Sequence, residues 1–457
     1  MANLLFTIPQ QVAALTLSVG AAAGGKFDSL ADMQTYAMKL SKINQSDTVI
    51  QRFMGSDWTT IWGPIVWVNP AQGVGKLVVD NTMACYYSSS QNLFVLAIAG
   101  TNPASMYDWG QEDVDIKALV PWTDVCPISG PDSGNISTGT RNGMKALLGM
   151  QSGGLSMVSA LVAFIKKYNI AGATIALGGH SLGGALAPCM GLYLCDNRVA
   201  LGLDNPNLAK QKIAVYAYAG PTPGDYKFAN YYASRIEEAS IAYSSVYNEL
   251  DIVPQAWGLE TLKTIPTIYS GNIPFKDTPN NTFLGVLATN MQLSSLQAGM
   301  QLKPVTWYAQ VKGRVPFKAD FNSDVYSNCS THVAALLADL PVDKTYMAEL
   351  GALVNVLYQA DAQHNASYFG GVIRLPLPIK GNPKNIWQSQ SVKGYLGIDD
   401  YTVEYQNNLV TNPPPTAAFV SSAAIAIKKL IGIDLYDMAA LSAAGELKIA
   451  EDPVAFV

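Results

Sequence analysis

Charge is scarce in this 457-residue chain: Asp, Glu, Lys and Arg together make up 14%, against roughly 25% in an average soluble protein. The net charge is −5 and the pI about 5.3. No basic stripe with aromatic interleaving is present, which argues against nucleic-acid binding. Histidine is rarer still, with 3 in all, and the 5 cysteines (Cys85, Cys126, Cys189, Cys195 and Cys329) form no Cys-x-x-Cys pair. Little is available for a metal site, and neither a metal nor a cofactor is expected. The cysteines read mainly as free thiols packed as small hydrophobes. No Lys or Arg precedes Lys26, whereas a secretory leader wants a positive n-region. Val12 to Ala23 (VAALTLSVGAAA) has the composition of an apolar h-region, but Pro9-Gln10-Gln11 interrupts the run, so a structured N-terminus is expected. No stretch approaches the ~18–20 uninterrupted apolar residues of a membrane span. The chain is therefore expected to lack a transmembrane segment, and to be cytoplasmic or exported by a route needing no signal. Repeats and low-complexity tracts are absent.

What the chain does have is apolar residues, 49% of the total, with a mean hydropathy of +0.14. It must bury a large core or expose apolar surface for a purpose. Asn92 to Ala99 (NLFVLAIA), Ala173 to Gly178 (ATIALG), Lys212 to Ala219 (KIAVYAYA) and Ile241 to Tyr247 (IAYSSVY) read as strands. Leu155, Val158, Val162 and Ile165 recur at helical spacing, and Gly183 to Cys195 reads as a helix. Strands alternating with helices predict an α/β fold with a mainly parallel sheet covered on both faces.

One motif carries chemistry. Gly179-His180-Ser181-Leu182-Gly183 fits Gly-x-Ser-x-Gly, follows an apolar strand directly and opens a Gly- and Ala-rich helix (GGALAPCMGLYL). That is the context of a nucleophile elbow: the turn is too tight for side chains two residues either side of the serine. Ser181 then stands at a helix N-terminus, where free amides and the macrodipole favour negative charge. A serine needs a base and an orienting acid. His180 points off the elbow differently and reads as a packing residue, which leaves His332 (SNCSTHVAAL) and His364 (DAQHNASYFGG). Both follow candidate acids in the chain order Ser, Asp, His.

Four blocks, in order, make Val78 to Gly371 resemble the class 3 lipases, the fungal-type triacylglycerol lipase group of the α/β-hydrolase fold. Ala99-Gly100-Thr101 with Asp108-Trp109 is similar to the family's Arg-Gly-Thr/Ser block and its downstream Asp-Trp. Gly179 to Gly184 resembles its elbow. Tyr218-Ala219-Gly220-Pro221, with Gly224 and Phe228-Ala229, resembles its strand-and-turn block, and Asp251-Ile252-Val253-Pro254 its acid block. The resemblance implies Asp251 as the triad acid. It favours His364 as the base, because His364 to Gly370 (HNASYFG) looks like the family's His-x-x-Tyr-Phe-Gly with one residue inserted. Asp225, where the family usually has Asn, is a competing acid in the wrong block. For the oxyanion hole, Leu182 would give its backbone N–H, and by resemblance Thr101 the second donor; losing one such donor typically costs ~10²–10³ in turnover. Ala99 stands where the family has Arg, which puts the support of that loop in question.

The expectation is thus a serine carboxylic-ester hydrolase acting on a lipid ester, working through an acyl-enzyme. An unperturbed imidazole base titrates near ~6.5, so activity should fall below about pH 6. Domain organisation is read as one α/β-hydrolase domain over residues 1–457. It carries an amphipathic lid at about 102–126, a cap insertion at about 258–350 that includes Phe283 to Met300, and a C-terminal extension at 372–457. Transient contact with a lipid interface fits such a lid. Phospholipase A1 and an acyltransferase on the same scaffold are the competing readings.

Overall fold

In the computed structural model, the described residues are 6–23, 26–27, 29–46, 51, 54–68, 77–78, 80–100, 116–204, 210–270 and 279–319, with 356, 359–360, 363–364, 367–368 and 372 beyond them. The apolar runs form one seven-stranded sheet. Its strands are β1 (Trp58–Trp67), β2 (Asn81–Ser88), β3 (Leu93–Ile98), β4 (Thr174–His180), β5 (Lys212–Tyr218), β6 (Ser240–Asn248) and β7 (Arg314–Phe317). They lie side by side in chain order, β1 at one edge and β7 at the other. The two pairings among β1, β2 and β3 are antiparallel, and β3 through β7 run parallel. Leu177 of β4 pairs with Leu96 on one side and Val215 on the other. The carboxyl ends at Ile98, His180, Tyr218 and Asn248 therefore come out at one end of the sheet. In open α/β sheets that end holds the binding crevice.

Alternation along the strands divides the core in two. Phe94, Leu96, Ile98, Ile175, Leu177, Ile213 and Val215 face α3 (Thr138–Gly149), α4 (Met157–Lys167), α5 (Leu182–Asp196) and α6 (Tyr226–Ala239). On the opposite face Ala97, Ala176, Ala214 and Gly178 are small, which lets α1 (Ile8–Ala23) lie close, with Val12 and Thr16 against Gly178. The apolar N-terminal run is thus a helix packed on the sheet. Helix α2 (Leu30–Ser46) packs on α1 and β1. Among the described residues, no helix is long and apolar enough to cross a membrane.

Two expectations need correction in detail. Leu155 is outside α4: it sits exposed in a two-residue strand after the Gly153-Gly154 turn, and Ser156 caps the helix by accepting from the Ser159 amide. Of the stretch read as a lid, residues 101–115 lie outside the described residues. The remainder packs into the body: Ile116 and Leu119 are buried, and Trp122 meets Phe228 edge-on at 5.4 Å. The apolar patch read at Phe283 to Met300 is the greater part of helix α7 (Pro279–Met300), which buries Leu284, Leu287 and Met291 beside the short turn Ile265–Thr267. Cys85, Cys126, Cys189 and Cys195 are free and buried, and Cys329 lies outside the described residues.

Candidate active site

The strand-to-helix turn between β4 and α5 forces Ser181 into φ 59°, ψ −126°. Non-glycine residues hold such angles at a cost of about 1–3 kcal/mol, and only where the surroundings over-determine them. Here Ser181 N–H donates to the Tyr218 carbonyl (3.1 Å) and the Ser181 carbonyl accepts from Gly184 N–H (2.8 Å). Gly183 explains the motif physically. A Cβ at this position would fall 2.5 Å from the Ile98 carbonyl oxygen and 2.7 Å from that of Ala99, and one at Gly179 would collide with the Gly183 carbonyl. Gly183→Ala should therefore unfold the elbow, at a cost of ~3 kcal/mol or more. By contrast Gly149→Ala, which meets nothing within 4 Å, should stay within ~0.5 kcal/mol. Paired denaturation curves read both.

Gly100, two residues past the end of β3, runs against the nucleophile: a Cβ here would lie 2.5 Å from Ser181 Cβ. Thr101 follows it and lies outside the described residues. Leu182 opens α5 and is buried, so its amide is among the helix's unbonded first donors. Ala99, where the resembled family has Arg, is fully buried on the α1 side of the sheet.

Asp251 is fully buried in the turn after β6. Its N–H donates to the Asn248 carbonyl (3.0 Å), and its Oδ1 accepts from Val253 N–H (3.0 Å). Oδ2 accepts twice, from His364 Nδ1–H at 2.9 Å and from the Tyr368 hydroxyl at 2.8 Å. His364 and Tyr368 are four residues apart in helical conformation, which places both on one face. Burial holds the Tyr368 hydroxyl well above its ordinary pKa, with the charge of Asp251 adding to the effect, so it stays a donor. Asn248 Nδ2 donates to the Gln363 carbonyl, Gln363 Oε1 and Ser367 Oγ at 3.1, 2.6 and 3.0 Å. Its Oδ1 accepts from the Leu250 and Ala319 amides, both at 3.1 Å. Among the described residues, the buried His364 Nε2 has no hydrogen-bond partner.

His180 does more than pack. Its Nε2–H donates to the His364 carbonyl at 2.9 Å, and its ring lies 4.8 Å from that of His364 and 5.3 Å from that of Tyr368. Burial, with His364 nearby, pushes its pKa down from 6.5 to about 3. The unfolded chain therefore takes up a proton here between about pH 6.5 and about 3 that the folded chain refuses. This contribution to stability is complete above pH 6.5 and is lost as pH falls across that window. Chemical denaturation from pH 7 to pH 4 should show stability falling, and His180→Gln should flatten that fall by up to one proton.

Asp251 and His364 thus meet at the carboxyl end of the sheet, where His180 ties His364 to the elbow that carries Ser181 and Leu182, with Gly100 against Ser181. His332 lies outside the described residues. The competing acid Asp225 is spent elsewhere: it accepts from Asn135 N and Nδ2, Phe228 N and Thr306 Oγ1 at 2.7–3.1 Å, capping α6. Sequence reasoning missed Tyr368, Asn248 and the role of His180. Tyr368 had a signal, an aromatic four residues after a candidate base. Among the described residues, no group of three or more His, Cys, Asp or Glu side chains is arranged to hold a metal ion.

Residues 95–260 match the family model of lipase (class 3). Among solved structures, that of M37 lipase superposes with a TM-score of 0.60 at 20% identity, covering 88% of this chain and 100% of that one; this establishes the shared fold. The Rhizomucor miehei lipase propeptide complex aligns at 19% identity over 54% of this chain and 62% of that one, TM-score 0.36. Lip2 lipase from Yarrowia lipolytica aligns at 15% over 68% and 78%, TM-score 0.37. At such scores neither adds to the fold assignment. No curated protein matches the chain. The matched segment contains Ser181 and Asp251 and ends before His364. Over that segment the chain is similar to the class 3 lipases, a family of carboxylic-ester hydrolases.

Proposed function

We propose that the chain hydrolyses lipid esters of the triacylglycerol type through a triad of Ser181, His364 and Asp251. The observation that carries this reading is the 2.9 Å contact of His364 Nδ1 with a fully buried Asp251, with His364 Nε2 left unpartnered among the described residues. Accepting at Nδ1–H, Asp251 fixes the tautomer in which Nε2 is basic. Ser181 attacks the ester carbonyl and Nε2 takes its proton. The amides of Leu182 and Thr101 receive the developing oxyanion, worth ~10²–10³ in turnover each. His364 then protonates the leaving alcohol, and water releases the acid by the same route. The cap at about 258–350, with α7 in it, would cover the acyl chain.

Fatty-acid release from triacylglycerol, from phosphatidylcholine and from a short p-nitrophenyl ester tests the substrate. The reading expects triacylglycerol to be preferred. Preference for phosphatidylcholine would make the protein a phospholipase A1. Ester formation with an added alcohol in place of acid release would make it an acyltransferase.

A further inference from the structure

The base-bearing turn has to be brought to the elbow from far along the chain, since 184 residues separate His180 from His364. Asp251 orients the imidazole through Nδ1 but leaves the backbone that carries it free to shift. Two side chains grip that backbone. Asn248, beside the acid, holds the turn through Gln363 and Ser367. His180, covalently next to Ser181, holds it through the His364 carbonyl itself. The second grip differs in kind, because one residue then spans the gap between nucleophile and base.

We propose that His180 is a positioning residue: by donating Nε2–H to the His364 carbonyl, it sets the separation of Ser181 Oγ and His364 Nε2. The proposal rests on the triad reading above. Three features suit His180 to this work. Its Cα is locked to the elbow by the pairing of β4 with β5, His180 against Tyr218. Its ring is confined between His364 and Tyr368, so the donor has little freedom. And it stays neutral down to about pH 3, so the imidazole never adds a repelling charge beside the imidazolium that forms on His364. A misplacement of about 1 Å between reacting groups can cost ~10²-fold in rate, which is the scale at stake.

The test compares four variants of the full chain on a short, saturable p-nitrophenyl ester. In His180→Leu the donor is gone while apolar bulk remains. His180→Gln carries an amide that can reach the same carbonyl, whereas the amide of His180→Asn falls short. Expected are a 10- to 100-fold lower kcat for His180→Leu and His180→Asn with KM within about twofold, and recovery of most of that loss in His180→Gln. A kcat within threefold of wild type in both donor-less variants overturns the proposal, as does equal behaviour of His180→Gln and His180→Asn. If His180→Leu does not fold, the Gln–Asn pair decides the matter alone. The fourth variant, His364→Ala, separates the two readings. Full activity in His364→Ala removes the triad itself, while its inactivity beside wild-type-like His180 variants removes only this proposal.

Discussion

Ser181→Ala should lower ester turnover by about 10⁴- to 10⁶-fold, the scale seen when a serine hydrolase loses its nucleophile. The small residue of activity would come from the oxyanion donors and substrate binding, which the substitution leaves in place. Stability should change little, because alanine meets the same φ of 59° that serine already tolerates. Ser181→Gly sharpens the test. It is equally inactive, yet it relieves the positive φ and should be more stable than Ser181→Ala by about 1 kcal/mol. Steady-state kinetics read the first effect and equilibrium denaturation the second. A Ser181→Gly protein no more stable than Ser181→Ala would mean that the elbow stores no strain.

His364→Ala should be as damaging as Ser181→Ala, because the nucleophile and base act as one unit. The double variant Ser181→Ala/His364→Ala should be no worse than either single one, since effects within a triad are strongly non-additive. His332→Ala should stay within threefold of wild type, because the proposed base is His364, whose Nδ1 already meets Asp251. Substrate hydrolysis by all four proteins decides it, and multiplicative losses in the double variant would contradict a shared proton path.

Much of the fold was legible because its signals are local. The apolar strands, the glycines that let β4 turn into α5 around Ser181, and the Asp-Ile-Val-Pro turn each need only a few neighbouring residues. The N-terminal run was ambiguous because composition cannot tell a leader's apolar core from a helix laid on a sheet. The helix is laid on the small face made by Ala97, Ala176, Ala214 and Gly178, drawn from three separate strands. Leu155 fits the helical period of α4 yet falls outside it, since the Gly153-Gly154 turn and the Ser156 cap take precedence over periodicity. The contacts of His180, Asn248 and Tyr368 join segments more than a hundred residues apart. No periodicity or spacing encodes such pairs, so the site's second layer was not readable in advance. Tyr368 shows the limit well: the inserted residue that weakened the family pattern puts the tyrosine four positions from His364, where its hydroxyl still reaches Asp251.

The most direct test of the account is to treat the folded protein with a fluorophosphonate and locate the adduct by peptide mass. The account predicts one adduct, on Ser181, and none in Ser181→Ala. Folded protein that carries no adduct, or carries it on another serine, would contradict the assignment of the nucleophile and with it the proposed mechanism.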